Sequence, residues 1–186
     1  NYDALTGLPS RLLFTKELNA ALLDVEDANK LLVLCLLDID QFKELNDRWG
    51  LLVADQYLRL FAQRLKKEAG QDSLVGRIGG DEFVVVLQHC QTAESAMQRL
   101  QVLREVLAQT ANLDGNEVRL TCSGGVTFYP DDAADADGLL RHADLALYAA
   151  KEQGKDRLVV FDVKQGQRRQ ARRQSAQLVE AALQRG

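Results

Sequence analysis

A run of seven apolar residues at positions 31–37, LLVLCLL, constrains the fold of this chain more than any other segment. Apolar residues at every position, not at alternate ones, are typical of a strand that is buried on both faces in the middle of a sheet. A second apolar run covers residues 83–87. It follows a shorter strand-like segment at 75–78 and the pair Gly79-Gly80, so a hairpin turn is predicted there. The chain is therefore expected to build its core around a sheet.

Apolar residues at helical spacing separate these strands. After Gly115, a segment over 116–129 alternates like a strand, and Gly124-Gly125 within it predicts a bulge or kink. The order of elements predicts an α/β (α+β) fold with a mixed central sheet of about five strands flanked by helices. The periodic helical positions are Leu51, Ala54, Leu58, Phe61 and Leu65, then Ala96, Leu100, Leu103 and Leu107, then Leu140, Ala143, Leu147 and Ala150.

Length and composition narrow the class of protein. The 186 residues suit one domain, and a net charge of −4 without a long basic block argues against nucleic-acid binding. No apolar run approaches the roughly 20 residues that span a bilayer, so no membrane insertion is expected in this segment. Three cysteines, an odd number, indicate buried free thiols in a reducing compartment, hence a cytoplasmic location. Residues 164–186 are Gln-rich and basic, and predict a helical linker after a domain at 1–163.

Carboxylates lie at the ends of both apolar runs. Asp38 and Asp40 follow the first, and Asp81 and Glu82 precede the second. If the two strands are neighbours, these acids converge at one edge of the sheet and need a cation to offset their repulsion. Oxygen ligands favour Mg²⁺ or Mn²⁺, and a glycine turn beside such an ion suits a polyphosphate. The alternative is that Asp38 and Asp40 cap a helix that begins near Gln41, while Asp81 occupies a turn.

Four segments in order and spacing, DALTGLPSR, LLDIDQFKELND, RIGGDEF and ADLALYAAKEQGKD, carry a family resemblance. Together they closely resemble the GGDEF domain of diguanylate cyclases, over residues 3 to about 161. The resemblance implies a fold related to nucleotide cyclases and polymerase palm domains. It also implies the condensation of two GTP molecules into cyclic di-GMP and pyrophosphate by a transient homodimer, each chain supplying half of the site.

The resemblance also implies roles for individual residues. Asp38, the Ile39 carbonyl and Asp81 would hold Mg²⁺ or Mn²⁺, and Glu82 would support the metal or the deprotonation of the ribose 3′-hydroxyl. Asp38, Asp81 and Glu82 are thus the expected catalytic residues. The expected substrate-binding residues are Asn46 and Asp55 for guanine, Gly79 and Gly80 for close approach of the phosphates, and Lys43, Lys151 and Lys155 for phosphate charge.

The chain departs from the family pattern at several positions. Leu51 stands where the family has a polar His, and Ala54 replaces a Gly; both changes predict weaker GTP binding or an altered pocket geometry. In the last motif, Lys155 and Asp156 replace Arg and Asn, which keeps a positive charge but not the bidentate fork. Gly70 and Ser73 stand where the family's product-inhibition site has Arg and Asp, so feedback through that site is predicted to be absent.

These departures sustain a second hypothesis. The domain would then be a degenerate GGDEF domain that binds GTP, or dimerises, and regulates an attached EAL phosphodiesterase without turnover. The segment LVEAALQRG at 178–186 is similar to the helix that opens EAL modules, which predicts an EAL domain in the same protein, with a sensor domain as a further expected partner. The whole would be a larger, even membrane-anchored, protein. A purely structural dimerisation domain is the third hypothesis.

Overall fold

The computed structural model describes residues 1–25 and 30–164; the predicted linker lies outside the described residues except for Lys164. Alternating apolar and polar stretches form helices and strands in an order that agrees with the predicted α+β class. The helices are α1 (Arg11–Asp24), α2 (Phe42–Trp49), α3 (Leu51–Ala69), α4 (Ala93–Leu107) and α5 (Ala136–Glu152). The strands are β1 (Leu31–Ile39), β2 (Ser73–Arg77), β3 (Glu82–Cys90), β4 (Ala111–Leu113), β5 (Asn116–Val118), β6 (Cys122–Tyr129) and β7 (Leu158–Val160).

Five strands form the main sheet in the order β2-β3-β1-β6-β7. The β2–β3, β3–β1 and β1–β6 pairs are antiparallel and the β6–β7 pair is parallel, so the sheet is mixed, as predicted. The strand β1 lies at the centre because both of its faces are apolar. Val33, Cys35 and Leu37 pack in one core with α3 and α4, and the even-numbered residues from Leu32 to Leu36 pack in a second core with α1 and α5.

The predicted bulge or kink at Gly124-Gly125 is wrong. The register between β1 and β6 runs without a break from Leu32 opposite Tyr129 to Ile39 opposite Cys122. A Cβ atom on Gly125 would lie 1.9 Å from the carbonyl oxygen of Ala143 in α5. The glycine therefore lets α5 pack against the backbone of a regular strand.

The predicted single strand over residues 116–129 is also wrong, because it is two strands in different sheets. β5 pairs with β4 in a separate two-stranded sheet, and β6 begins only at Cys122. The three cysteines are free and buried, as predicted. None of the described helices is long and apolar enough to cross a membrane.

Candidate active site

Two segments that are distant in sequence meet at the end of β1. Asp38 lies opposite Glu82 of β3 and, on the other side, opposite Ser123 of β6. The turn between β2 and β3 folds back over this end, and the backbone N–H of Ile39 donates to the Asp81 carbonyl at 3.1 Å. The predicted convergence of acids from the two motifs is therefore present in the fold.

Asp38 is the most perturbed carboxylate at this end of the sheet. It is 6% exposed, and burial, followed by the nearby carboxylate of Asp81, raises its pKa to about 6 against the opposing effect of Lys151. The Lys151 ammonium forms an ion pair with Oδ2 of Asp38. The other oxygen, Oδ1, is buried and has no hydrogen-bond partner in the described part of the chain. A buried carboxylate oxygen without a partner is costly unless a ligand satisfies it.

The donor atoms at this end fit a hard divalent cation. Asp38 and Asp81 supply carboxylate oxygens beside the backbone of Ile39, and oxygen ligands are those that Mg²⁺ and Mn²⁺ prefer. Within residues 1–25 and 30–164, no group of three or more His, Cys, Asp or Glu side chains is arranged to hold a metal ion. An ion held by two carboxylates and a carbonyl would keep coordination positions for phosphate oxygens and water, which is the usual way that proteins bind Mg²⁺ with a nucleotide.

Glu82 and Lys151 complete the charged cluster. Burial and then the charge of Asp144 raise the pKa of Glu82, with Lys151 opposing. Burial alone would lower the pKa of Lys151, but its hydrogen bond to Asp38 and the surrounding carboxylates raise it. Lys151 therefore stays charged and acts as the counter-ion of the acidic cluster.

Arg77 supports the Gly-Gly turn, and sequence reasoning missed it. Its guanidinium donates to the carbonyl oxygen of Gly79 at 3.2 Å and to that of Gly80 at 2.7 Å. A third nitrogen, Nη1, forms an ion pair with Asp3 at 3.0 Å. Both partners lie in quoted motifs, but the pair spans 74 residues and nothing in the sequence shows that they touch. The Gly80 side of the turn is open, since a Cβ there would meet nothing within 4 Å.

The model of the family "Diguanylate cyclase, GGDEF domain" matches residues 1–157, which is most of the chain. The chain belongs to the GGDEF domain family. A relative from Caulobacter vibrioides, an uncharacterized signaling protein, is 40% identical over 159 residues, which is 83% of this chain and 19% of that protein. Two relatives from Pseudomonas aeruginosa are named diguanylate cyclases. DgcP is 37% identical over 85% of this chain and 23% of its own length. TpbB is 34% identical over 83% of this chain and 36% of its own length. The chain thus spans between about a fifth and about a third of these relatives.

Solved GGDEF domains have the same fold. The GGDEF domain of TpbB from Pseudomonas aeruginosa matches with a TM-score of 0.85 at 32% identity, covering 91% of this chain and 99% of that one. A sensory box/GGDEF family protein from Caulobacter crescentus matches with a TM-score of 0.77 at 40% identity, covering 82% and 99%. The fold and the family are therefore established by independent comparisons.

The other predicted substrate-binding residues of this GGDEF domain make no polar side-chain contact with the Asp38 cluster in the described part of the chain. Lys43 and Asn46 are exposed on α2, Asp55 is half-buried on α3, and Lys155 is exposed in the turn after α5. Their side chains form no hydrogen bond or ion pair within the described residues, so the structure does not link them to the cluster and leaves them available to a ligand.

Asp40 does not join the acidic cluster, contrary to the sequence prediction. Its carboxylate accepts hydrogen bonds from the hydroxyls of Thr121 and Ser123, both at 2.7 Å, and from the backbone N–H of Asp156 at 3.0 Å. The alternative prediction of helix capping is also wrong, because the N-cap of α2 is Gln41 and no side chain caps it.

The departures from the family pattern are of two kinds. Leu51 is 70% exposed at the start of α3, whereas Ala54 is buried at 1% exposure. Asp156 has acquired a partner, because its carboxylate forms an ion pair with Arg104 of α4. The departure at Leu51 therefore alters the exposed surface at the start of α3, and the departure at Asp156 adds an ion pair between α4 and the turn after α5.

Proposed function

We propose that this GGDEF domain condenses two GTP molecules into cyclic di-GMP and pyrophosphate. The observation that carries the proposal is the meeting of Asp38 and Asp81 beside the open Gly-Gly turn, with one buried Asp38 oxygen that lacks a partner in the described residues. Relatives named diguanylate cyclases support the same activity. Because this chain covers only part of each relative, the activity of those relatives is a proposal for this chain and not a finding.

The residues of the cluster divide the chemistry among them. Mg²⁺ or Mn²⁺ held by Asp38, Asp81 and the Ile39 carbonyl would neutralise triphosphate charge and lower the pKa of the attacking hydroxyl. Glu82 supports this site or accepts the proton of the ribose 3′-hydroxyl, and burial raises its pKa, which makes it a stronger base than an exposed glutamate. Each of the two condensations forms one O3′–Pα bond, breaks the bond from Pα to the pyrophosphate oxygen and releases one proton.

The remaining residues bind and orient GTP. Asn46 and Asp55 recognise guanine, and a carboxylate there accepts from the N1 and N2 hydrogens, which adenine cannot offer together. Gly79 and Gly80 allow the phosphates to approach the backbone. Lys43, Lys151 and Lys155 place positive charge around the triphosphate, and most of the rate enhancement comes from positioning and charge stabilisation.

Two further partners belong to the proposal. Since the product contains two nucleotides, a second copy of the chain faces the first and supplies the other GTP in a transient homodimer. EAL and sensor domains are proposed in the same protein, because matching relatives are named a bifunctional diguanylate cyclase/cyclic di-GMP phosphodiesterase, MucR, and a cyclic di-GMP phosphodiesterase, PdeR.

The decisive experiment incubates the chain with GTP and Mg²⁺ and follows cyclic di-GMP by chromatography. Asp81→Ala removes a carboxylate from the cluster, and we expect it to lower the rate by at least about 100-fold. The matched control is Glu117→Ala, since Glu117 is exposed on β5 without a side-chain partner in the described residues. Equal rates for Asp81→Ala and wild type contradict the proposed catalytic centre.

A GTP-binding regulator without turnover is the second candidate function. The exposed Leu51 favours it, because an apolar side chain replaces the polar residue that the family places at the guanine pocket. Some matching relatives are named only as phosphodiesterases, such as PdeR from Escherichia coli at 35% identity. Binding of GTP by the wild-type chain, without any cyclic di-GMP at long incubation, identifies this function.

We also propose that product feedback through residues 70–73 is absent. The Ser73 hydroxyl donates to the Gly70 carbonyl, so this turn satisfies its own polar groups and offers no Arg–Asp pair to a ligand. Saturable binding of cyclic di-GMP by wild type, mapped beside Gly70, contradicts this proposal.

A further inference from the structure

We propose that Asp40 is a positioning residue that holds the turn carrying Lys155 against the end of β1; this inference rests on the proposed function. Asp40 is 6% exposed, and both of its oxygens accept hydrogen bonds. Ser123 donates to Oδ1, and Thr121 and the backbone N–H of Asp156 donate to Oδ2. Because donors engage both oxygens of this buried carboxylate, we infer that its role is to fix the groups around it.

The turn after α5 depends on this anchor. Lys155 and Asp156 have left-handed backbone conformations, with φ of 64° and 50°. Non-glycine residues adopt this conformation at a cost, so contacts must hold them in place. The backbone N–H of Asp156 donates both to Asp40 and, at 3.2 Å, to the Ser123 hydroxyl.

Lys155 lies between two contacts that join its segment to the end of β1. One contact is with Asp38 in the strand, and the other is with Asp40, just after the strand. On one side, Lys151 pairs with Asp38, and on the other side, the Asp156 backbone is bound to Asp40. The Lys155 side chain itself is exposed and has no partner among the described residues. The segment is thus held at both ends while its free ammonium group is available to a polyphosphate.

A second network extends the anchor to α4. Arg104 pairs with the Asp156 carboxylate and donates to the Asp156 carbonyl at 3.1 Å. Beyond the turn, the backbone N–H of Gly124 donates to the Arg157 carbonyl at 2.9 Å. Asp40 lies two residues after Asp38 in the chain and binds the backbone of Asp156. It therefore links the position of Lys155 to that of the proposed cation site at Asp38.

A double-mutant cycle on the 186-residue chain tests the inference. The probe is a GTP analogue with a methylene group between its α and β phosphorus atoms, which cannot release pyrophosphate, and calorimetry measures its affinity with Mg²⁺. We expect Asp40→Ala and Lys155→Ala each to weaken binding about 10-fold, and the double variant to be within about 2-fold of Lys155→Ala. Losses that multiply to about 100-fold, or an Asp40→Ala variant that binds as wild type, overturn it.

Whether Asp40→Ala weakens or strengthens binding of the analogue separates a positioning role from a purely electrostatic one. Removing a negative charge near a triphosphate site strengthens binding if Asp40 acts only by its charge. Asp40→Asn keeps an acceptor for the Asp156 N–H and removes the charge, so we expect it to bind the analogue at least as well as wild type. Weakening of Asp40→Asn by as much as Asp40→Ala overturns the inference.

Matched variants separate positioning from a loss of stability. Asp132 is also buried, at 4% exposure, and accepts from Thr127 at 2.7 Å while it pairs with His142 at 2.8 Å, beyond the opposite end of β6. We expect Asp132→Ala to lower the unfolding midpoint without changing analogue affinity; affinity lost equally in both aspartate variants overturns the inference. If Asp40→Ala does not fold, Asp40→Glu replaces it, because the longer side chain shifts the carboxylate by one methylene. Wild-type affinity for the analogue in Asp40→Glu then overturns the inference.

Failure of this inference is distinguishable from failure of the proposed function. If the wild-type chain does not bind the analogue, the proposed function is wrong and the inference is wrong with it. If wild type binds and Asp40→Ala weakens binding independently of Lys155, only the inference is wrong.

Discussion

Two aspartates that are separated by one residue have different surroundings at the end of β1. Asp40 is surrounded by donors, whereas Asp38 has one ion pair, one oxygen without a partner in the described residues, and a second carboxylate beside it. A carboxylate with too few donors binds protons and cations more readily. The chemistry of this site is therefore concentrated on Asp38.

The raised pKa of Asp38 predicts that cation binding at the proposed site depends on pH. Because burial raises this pKa to about 6 in the metal-free protein, Asp38 is protonated below that pH and must lose its proton to bind a cation. We expect the affinity for Mn²⁺ alone to fall towards about 10-fold per pH unit below pH 6 and to level off above it. Electron paramagnetic resonance of free Mn²⁺ measures this, and Asp38→Asn is the control that should bind weakly at every pH. An affinity that is constant between about pH 5 and pH 7 contradicts the assignment.

The pKa of Asp3 is shifted in the opposite direction to that of Asp38, and it affects the stability of the folded protein. Burial alone would raise its pKa, but hydrogen bonds from Thr6 and Arg77 outweigh it and lower the pKa. A lowered pKa stabilises the folded state above the unfolded value of 3.8, and this stability is lost as the pH falls through the lowered pKa. We expect Asp3→Asn to cost about 1–2 kcal/mol in the free energy of unfolding at neutral pH, and less in acid.

Urea denaturation at neutral pH and at a pH below 3.8 measures the effect of Asp3→Asn on the free energy of unfolding. Asp72→Asn is the matched control, because Asp72 is exposed and its side chain has no partner in the described residues. The interpretation fails if Asp3→Asn destabilises the protein equally in acid and at neutral pH.

At the scale of elements, the contact between α5 and β6 determines where Lys151 lies. The helix packs on Gly125, where a side chain would overlap the backbone of Ala143 and Leu147. Lys151 extends from the last turn of the same helix to Asp38. The close approach of the helix to the strand therefore determines the position of the counter-ion.

Gly125→Ala should be strongly destabilising. The new Cβ would lie 1.9 Å from the Ala143 oxygen and 2.4 Å from the Leu147 nitrogen, and both are backbone atoms that cannot move independently of the helix. We expect a loss of about 3 kcal/mol or more in the free energy of unfolding, measured by urea denaturation. Gly80→Ala is the matched control, since its Cβ would meet nothing within 4 Å, and a loss below about 1 kcal/mol is expected. Equal stabilities of the two variants exclude the close-approach explanation.

At the scale of the whole molecule, one sheet separates two cores and presents its reactive end on a single side. Helices α3 and α4 cover one face, and α1 and α5 cover the other. The described residues of one chain form one such cluster, whereas the proposed product joins two nucleotides. We therefore expect the proposed reaction to require two copies of the domain that face each other.

The rate of product formation should reveal this pairing. In dilute solution we expect the initial rate per chain to rise with protein concentration and to level off once dimers predominate, because the active species is second order in chain. Chromatographic measurement of cyclic di-GMP over a wide dilution series provides the data. Affinity for the GTP analogue serves as the control and should stay constant. A rate per chain that does not change on dilution contradicts the dimer.

Much of the architecture could be predicted, and the misses have local causes. The apolar run at 31–37 predicted the central strand because only a mid-sheet position buries both faces. Gly124-Gly125 was misread as a bulge because a glycine pair in a strand looks the same whether the strand bends or a helix packs on it. The hairpin of β4 and β5 was missed because three-residue strands are too short for a periodic pattern.

The sequence by itself determined the class of fold and the family, because hydrophobic periodicity and motif spacing can be read along the chain. It indicated Asp38, Asp81 and Glu82 as acids of the candidate site but also included Asp40, since a motif does not show which donors surround a side chain. Only the tertiary structure decided what each acid does. It left an oxygen of Asp38 without a partner among the described residues, engaged Asp40 with three donors, and joined Arg77 to Asp3. The physical reason is that the charge state and freedom of a carboxylate depend on its donors and its burial, and these come from segments far apart in sequence.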